Sequence, residues 1–252
     1  MTKLLNIALI QHNTFWENKT ANLSDLEEKI TLVPNNIDLI VLPEMFNTGF
    51  TMNTKMAESM GAVTTKWMKQ MAHTSNAVIT GSYIVIEDGK YYNRFIAMSK
   101  KGILCQYDKI NLFPLLAEPT LFTAGEASPS FHVNNFTIRP LICFDLRFPN
   151  NSNYTKQNPY DVLLYVANWP SKRNKHWEIL LQARAIENQS YVIGCNRVGT
   201  DENGLTYIGN SLVFNPKGDV INHSQKENLI FATLNKKPLD EYRKNFPVID
   251  PI

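Results

Sequence analysis

The chain has 252 residues, of which 44% are hydrophobic and 19% charged, and its formal net charge at pH 7 is +2. This composition is typical of a globular protein, and a near-neutral balance lacks the clustered Lys and Arg of a nucleic-acid-binding domain. No apolar run approaches the ~20 residues that span a bilayer, and the apolar stretch near the N-terminus is too short for a signal peptide. We therefore predict a cytoplasmic protein with neither a nucleic-acid nor a membrane partner.

Segments typical of strands and helices alternate along the chain. Apolar residues at helical spacing predict helices at 18–33, 64–76, 175–189 and 239–247. Runs rich in apolar and β-branched residues predict strands, among them "LNIALIQ" (5–11), "DLIVLPE" (38–44) and "YDVLLYVAN" (160–168). The last two are almost entirely apolar, which is typical of sheets that are covered on both faces.

Two connections carry their own signals. Asp88-Gly89 separates two strand-like runs and predicts a hairpin turn. Residues 105–128 contain no clear periodicity, and a loop of that length inside a compact domain is usually functional. No linker or repeat interrupts the pattern, so we predict one α/β domain over residues 1–252 with two sheets and helices packed outside them.

The three cysteines, Cys105, Cys143 and Cys195, lie far apart and are odd in number, and the five histidines are scattered. Neither a disulfide framework nor a zinc site is expected from such spacing, and no metal or organic cofactor is predicted. Cys105 and Cys195 lie within strand-like runs, so we predict that both are core residues.

Reactive side chains stand where predicted strands end or loops begin: Glu44, Lys109, Glu118 and Cys143. Taken singly, each has an ordinary interpretation as a turn residue, a solvated charge or a small buried thiol. Taken together, they supply what a thiol nucleophile requires, which is a base for its proton and a cation for the developing oxyanion. Active sites in α/β folds lie beyond the carboxyl ends of strands.

Five segments also resemble one family. "LIVLPEMF", "YDKINLF", "LICFDLRFP", "VANWP" and "ARAIENQSYVIGCNRVG" are similar to the signature segments of the nitrilase superfamily of carbon–nitrogen hydrolases, and they occur in the family's order. The resemblance extends over nearly the whole chain. It implies a four-layer α-β-β-α sandwich and a homodimer, formed through the helix after Pro149, the helix 173–189 and the tail "EYRKNFPVIDPI".

The resemblance also implies roles for individual residues. The family's catalytic triad falls on Glu44, Lys109 and Cys143, and its second glutamate falls on Glu118. In the family the nucleophile stands on a sharp elbow after a strand, so the backbone N–H of Phe144 is expected to help hold the oxyanion. Ion pairs of Asp145 and Arg147 are expected to brace that elbow.

Within the superfamily, "PEMFNTGFTM" is most similar to the omega-amidase branch. That branch hydrolyses the terminal amide of short dicarboxylic monoamides such as 2-oxoglutaramate and succinamate, through a thioester and with release of ammonia. Arg173 is the candidate for binding the substrate's carboxylate, and Phe46 and Phe50 are candidates for the pocket walls. The alternatives are an N-carbamoyl-amine hydrolase or another amidase of the superfamily, and a non-catalytic relative that binds a small molecule.

Overall fold

The structure, a computed structural model, describes residues 4–226 and 228–248. The strands in chain order are β1 Leu4–Ile10, β2 Leu39–Val41, β3 Val78–Glu87, β4 Lys90–Ser99, β5 Gly102–Asp108, β6 Phe131–Val133, β7 Phe136–Ile142, β8 Val162–Ala167, β9 Tyr191–Asn196, β10 Val198–Thr200, β11 Thr206–Ile208, β12 Leu212–Phe214, β13 His223–Lys226 and β14 Leu229–Asn235. The helices are α1 Lys19–Thr31, α2 Val63–Ser75, α3 Glu118–Leu121, α4 Asn174–Glu187 and α5 Lys236–Asn245.

The strands form two large sheets and one small one. The first has seven strands in the order β13-β14-β1-β2-β3-β4-β5, and β1, β2 and β3 within it are parallel. The second has five strands in the order β12-β9-β8-β7-β6, and β7, β8 and β9 within it are parallel. Strands β10 and β11 form a separate two-stranded sheet. Each large sheet therefore has a parallel centre, whose strand ends are available to a site.

The two large sheets pack face to face. The thiol of Cys195 in β9 lies 3.7 Å from the carbonyl oxygen of Ile10 and 3.4 Å from that of Val41, both in the seven-stranded sheet. The side chains of β1 alternate between two cores, because successive residues of a strand point to opposite faces. Leu5 and its alternate neighbours lie in the core shared with the five-stranded sheet, whereas Ala8 lies in the core under α1 and α2.

Helices cover the outer face of each sheet. Leu26 of α1 and Met68 of α2 are fully buried against the seven-stranded sheet. On the other side, α4 packs so closely on β9 that a Cβ added at Gly194 would lie 2.4 Å from Leu181 and 2.7 Å from Trp177. The layers are therefore helix, sheet, sheet and helix, which confirms the predicted α-β-β-α sandwich.

Local sequence signals account for several element boundaries. The side chain of Asn18 accepts a hydrogen bond from the backbone N–H of Ala21 and caps α1, as Asn does at many helix starts. The predicted hairpin is present, with Asp88 at φ 49° and Gly89 at φ 73° between β3 and β4. Positive φ at both central residues is what a tight hairpin turn of this kind requires.

The long loop predicted over 105–128 is shorter than expected. Strand β5 continues to Asp108, because Cys105 and Tyr107 alternate inward while β4 pairs with the strand along its length. The short helix α3 then forms at Glu118–Leu121. The segment after Pro149, which was predicted to be a helix, forms only a short 3₁₀ turn at Pro149–Asn151.

None of the described helices is long and apolar enough to cross a membrane. Helix α5 contains the first part of the tail that was predicted to take part in the dimer. The last part of that tail, residues 249–252, lies outside the described residues.

Candidate active site

Four strand ends bring polar side chains together between the two sheets. Glu44 follows β2, Lys109 follows β5, Cys143 follows β7 and Asn168 follows β8. Strands β7 and β8 are parallel neighbours, so their carboxyl ends lie side by side. This is the edge at which α/β folds place their sites.

Cys143 stands on a sharp turn. It has φ 45°, a left-handed conformation that a residue with a side chain rarely adopts unless its surroundings hold it there. The buried carboxylate of Asp145 holds it, because it accepts hydrogen bonds from the backbone N–H of Ile142 at 2.9 Å and the hydroxyl of Tyr107 at 2.5 Å. The elbow expected after this strand is therefore present, and Asp145 braces it.

Arg147 does not share in that bracing, and the prediction that Asp145 and Arg147 brace the elbow through ion pairs is wrong, since neither forms one with the described residues. Its guanidinium instead lies over the ring of Trp169, 4.9 Å from the ring centre, and contacts Nδ1 of His176 at 3.2 Å. The Asp145 carboxylate already accepts hydrogen bonds from the Tyr107 hydroxyl, from the backbone N–H of Ile142, and from the backbone and side-chain N–H groups of Asn111. The elbow thus needs no cation, and Arg147 faces the cavity beside Cys143.

Lys109 lies between two buried carboxylates. Its Nζ donates to Oε1 of Glu44 at 2.9 Å and to both carboxylate oxygens of Glu118 at 3.0 Å. Burial alone lowers the pKa of Lys109, but the charges of Glu118 and Glu44 outweigh it and raise that pKa above its ordinary value. The ammonium has three N–H groups and meets three carboxylate oxygens, so it can bind a substrate oxygen only by sharing or releasing one of its two contacts with Glu118.

Two asparagines fix the Glu44 carboxylate. The side chain of Asn93 donates to Oε1 at 2.8 Å, and the backbone N–H of Asn168 donates to Oε2 at 2.9 Å. The side chain of Asn168 also donates to the carbonyl oxygen of Glu44 at 2.6 Å. Both carboxylate oxygens of Glu44 are therefore oriented before any substrate arrives.

The Cys143 thiol lies next to this carboxylate. Burial and the negative charge of Glu44 raise the pKa of the thiol well above its ordinary value, against the smaller opposing effect of Lys109. The thiol is therefore protonated at neutral pH and needs a base when it attacks, and Glu44 is the carboxylate whose charge acts on it. Its Sγ also lies 3.8 Å from the carbonyl oxygen of Asn168.

A narrow cavity of about 40 Å³ opens onto Cys143 and Lys109. Its walls are largely aromatic and aliphatic, with two arginines: Phe50, Phe113, Leu116, Phe144, Arg147, Asn168, Trp169, Pro170, Arg173, Leu205 and Tyr207. Phe50 is among them, as predicted, and its ring lies 5.0 Å from the Lys109 ammonium. The cavity suits a short, slender substrate.

The prediction that Phe46 walls this cavity is wrong. Phe46 is fully buried in the core beneath the helices, where its ring packs against Trp67 at 5.9 Å and Tyr83 at 6.2 Å. Met45, between Glu44 and Phe46, has φ 43°. This left-handed turn directs the side chain of Phe46 away from the catalytic side of the sheet.

Arg173 lines the same cavity as Cys143 and Lys109. Its guanidinium is 5.6 Å from the ring centre of Phe113, and Phe113 packs edge-on against Phe144, the residue after Cys143. Lys172, the other basic residue of this loop, is exposed and does not line the cavity. Within residues 4–226 and 228–248, neither Arg147 nor Arg173 forms an ion pair with a carboxylate.

The hairpin of β10 and β11 supplies a further wall. The ring of Tyr207 faces the cavity, while its hydroxyl donates to Asp201 at 2.9 Å and the guanidinium of Arg197 lies 4.7 Å from the ring centre. Arg197 is 1% exposed. Contacts behind the ring therefore hold this wall in place.

The other two cysteines lie in the core, as predicted: Cys105 is 6% and Cys195 0% exposed. In the part of the chain that the structure describes, no three His, Cys, Asp or Glu side chains cluster so as to hold a metal ion.

The sequence analysis missed Asn93 and Asn168. Asn93 lies in the interior of β4, where asparagine is uncommon, and that was the available signal. Asn168 ends a buried strand in "VANWP", the same kind of position as Glu44 and Cys143. An amide at a strand end is an ordinary cap or turn residue, so the pattern alone did not distinguish it.

Comparison with known proteins agrees with this geometry. Residues 6–244 match the Carbon-nitrogen hydrolase family. The chain is 41% identical to the omega-amidase YafV of Escherichia coli K12 over 245 residues, which cover 96% of this chain and 94% of the relative. It is 30% identical to the 2-oxoglutaramate amidase of Bacillus subtilis, with 98% of this chain and 96% of the relative covered.

A solved structure is also similar. XC1258 from Xanthomonas campestris, described as a CN-hydrolase superfamily protein with an arsenic adduct in the active site, superposes with a TM-score of 0.94 at 33% identity. The match covers 100% of this chain and 99% of that one.

Proposed function

Because the chain belongs to the carbon–nitrogen hydrolase family and is an amide-hydrolysing enzyme, we propose that it is a cysteine-dependent omega-amidase. Its substrates are short linear dicarboxylic monoamides, such as succinamate and 2-oxoglutaramate. The observation that carries the proposal is the pair of arginines without carboxylate partners among the described residues, Arg147 and Arg173, in the same narrow cavity as the Cys143 thiol and Lys109.

The first half of the reaction forms a thioester. Glu44 takes the proton of the Cys143 thiol as Sγ attacks the amide carbonyl, and the carbonyl oxygen becomes an oxyanion. The Lys109 ammonium and the backbone N–H of Phe144 stabilise this charge. Glu44 then passes the proton to the nitrogen, the carbon–nitrogen bond breaks as the oxyanion collapses, and ammonia leaves.

The second half restores the enzyme. Glu44 takes a proton from a water molecule, whose oxygen attacks the thioester carbonyl. The carbon–sulfur bond breaks, the thiol of Cys143 regains its proton, and the product is the dicarboxylate. Glu118 takes no proton in this scheme. Its contacts with Lys109 and with the backbone N–H of Phe113, at 2.5 Å, position the ammonium and the cavity wall.

The far end of the substrate binds to the two arginines. A carboxylate accepts several hydrogen bonds, and the guanidinium group is the side chain best shaped to provide them. Burial and the neighbouring Arg173 cation lower the pKa of Arg147, so an anion between the two cations relieves their repulsion. The same field disfavours substrates with an ammonium group at that end, such as glutamine.

An ammonia-release screen tests the proposal. Succinamate and 2-oxoglutaramate are compared with glutamine, propionamide, N-carbamoyl-amines and a nitrile. We expect the carboxylated amides to have the highest kcat/KM. If N-carbamoyl compounds outperform them, the enzyme is an N-carbamoyl-amine hydrolase with the same nucleophile. Folded protein that turns over none of these compounds would contradict the proposal.

We also propose that the protein is a homodimer. The outward face of α4 carries Ile179 at 50% and Ile186 at 49% exposure, seven residues apart and hence on one side of the helix. A second copy packed on this face would bury them. Sedimentation at micromolar concentration tests this, and a monomer there contradicts it.

A further inference from the structure

One polar atom beside the catalytic base has no partner. The side-chain oxygen of Asn168 is buried and accepts no hydrogen bond from residues 4–226 or 228–248. Asn168 is 4% exposed and lines the cavity that contains Cys143. A buried carbonyl oxygen without a donor is costly, and such an atom in a native structure calls for an explanation, of which a catalytic role is one.

The orientation of this amide is fixed. Its Nδ2 donates to the carbonyl oxygen of Glu44 at 2.6 Å. Turning the amide over would place two oxygens against each other at that distance, so Nδ2 faces the backbone and Oδ1 faces away from it. The backbone of Asn168 binds both reacting groups as well, through its N–H to Glu44 and its carbonyl oxygen to Cys143.

The position of Oδ1 indicates which substrate atom it meets. Glu44 must approach the substrate nitrogen to within about 2.6–3.2 Å to protonate it. Asn168 is anchored to Glu44 at two points, so its Oδ1 lies on the same side of the cavity as that nitrogen. A primary amide nitrogen carries two N–H donors there, and it carries three as it departs.

We propose that the side-chain oxygen of Asn168 accepts a hydrogen bond from the nitrogen of the substrate amide, and thereby favours an amide over an ester of the same acid. This role rests on the proposed amidase reaction and assigns its leaving-group contact. The bond strengthens as Glu44 protonates the nitrogen, because hydrogen bonds to a charged donor are the stronger ones.

Asn93 provides the matched control. It is the same residue type, its Nδ2 also donates to Glu44, and its Oδ1 is likewise buried without a partner. Asn93 is 0% exposed and does not line the cavity. Replacing it therefore disturbs Glu44 without removing any group that a substrate can reach.

The experiment measures kcat/KM for succinamate and for monomethyl succinate in the wild type, Asn168→Ala and Asn93→Ala. Both substrates give the same thioester, and the ester has no N–H at its leaving group. We expect Asn168→Ala to lose on the order of 10- to 100-fold on the amide, the range for one hydrogen bond to a charged group, and only a few-fold on the ester. Asn93→Ala should lower both by similar factors.

An amide-to-ester ratio that falls no further in Asn168→Ala than in Asn93→Ala would overturn the inference. If the alanine variant does not fold, the amide-to-ester ratio is measured in Asn168→Ser instead, which keeps a small polar group beside Glu44. Should the wild type not hydrolyse succinamate, the proposed substrate class fails. The ratio is then measured with whichever primary amide the enzyme accepts and with the methyl ester of that acid.

Discussion

The buried group around Lys109 and the two cavity-lining arginines treat positive charge in opposite ways. On one side, the Lys109 side chain is 0% exposed and paired with two equally buried carboxylates, Glu44 and Glu118. On the other, Arg147 and Arg173 rest on aromatic rings, and the described residues offer them no carboxylate. Glu44 and Glu118 thus compensate the charge of Lys109 within the protein. The charges of Arg147 and Arg173 are available to a bound anion.

This difference separates chemistry from recognition. A buried ion pair is held in one geometry because breaking it exposes an uncompensated charge, and fixed geometry is what proton transfer requires. Partly exposed guanidinium groups are solvated by water in the free enzyme, so leaving them unpaired costs little free energy. Their largest stabilisation comes when an anion binds. Substitutions on the first side should therefore affect turnover and stability, and those on the second should affect only the choice of substrate.

The largest effect is expected at the thiol itself. Cys143→Ala should reduce amide hydrolysis by at least ~10³-fold, because it removes the covalent route. Cys105→Ala and Cys195→Ala should keep activity, since both thiols lie in the core. Ammonia release from succinamate measures all three, and equal losses in all three would indicate a folding defect in place of a nucleophile.

The carboxylate side is tested by substitutions at Lys109 and Glu44. Lys109→Met should stop turnover and also lower the free energy of unfolding by about 3–5 kcal/mol, because it leaves two buried carboxylates without their cation. Glu44→Gln should stop turnover with a smaller loss of stability. Activity assays and urea unfolding give both quantities, and full activity in either variant would mean that the base and the cation are misassigned.

The arginine side should show the opposite pattern. Arg173→Met and Arg147→Met should each cost about 2–3 kcal/mol in kcat/KM for succinamate, the effect of one lost charge-assisted hydrogen bond. The loss on neutral propionamide should be smaller, and the urea midpoint should stay near that of the wild type. Equal losses on the two amides would mean that the arginine is structural and the carboxylate is held elsewhere.

A smaller effect concerns the resting thiol. Because the pKa of Cys143 lies above its ordinary value, the thiol is mostly protonated at pH 7, and its alkylation by iodoacetamide should accelerate as pH rises. Cys143 should still react before the other two, because it is partly exposed at the cavity whereas Cys105 and Cys195 are buried. Peptide mapping after timed labelling follows each site, and earlier labelling of Cys105 or Cys195 would contradict the assignment.

The sequence identified most of the catalytic residues but few of the residues that line the rest of the cavity. Glu44 and Cys143 were predictable because each follows a buried strand with parallel neighbours, and parallel strand ends converge. Lys109 follows the partly exposed antiparallel strand β5, and its assignment depended on the family resemblance. Phe46 was misplaced because spacing does not show which way a chain points after a left-handed residue such as Met45. The position of Arg147 was missed because an ion pair with nearby Asp145 was the simpler expectation, whereas the fold satisfies that carboxylate from Tyr107 and backbone amides.

A crystal structure of the Cys143→Ala variant with succinamate bound tests the central claim most directly. The account predicts the amide next to Glu44 and Lys109, and the carboxylate within hydrogen-bonding distance of Arg147 and Arg173. A carboxylate that points to solvent or contacts neither arginine, with the amide still at Glu44, would contradict the division of the cavity into a catalytic side and an anion-binding side.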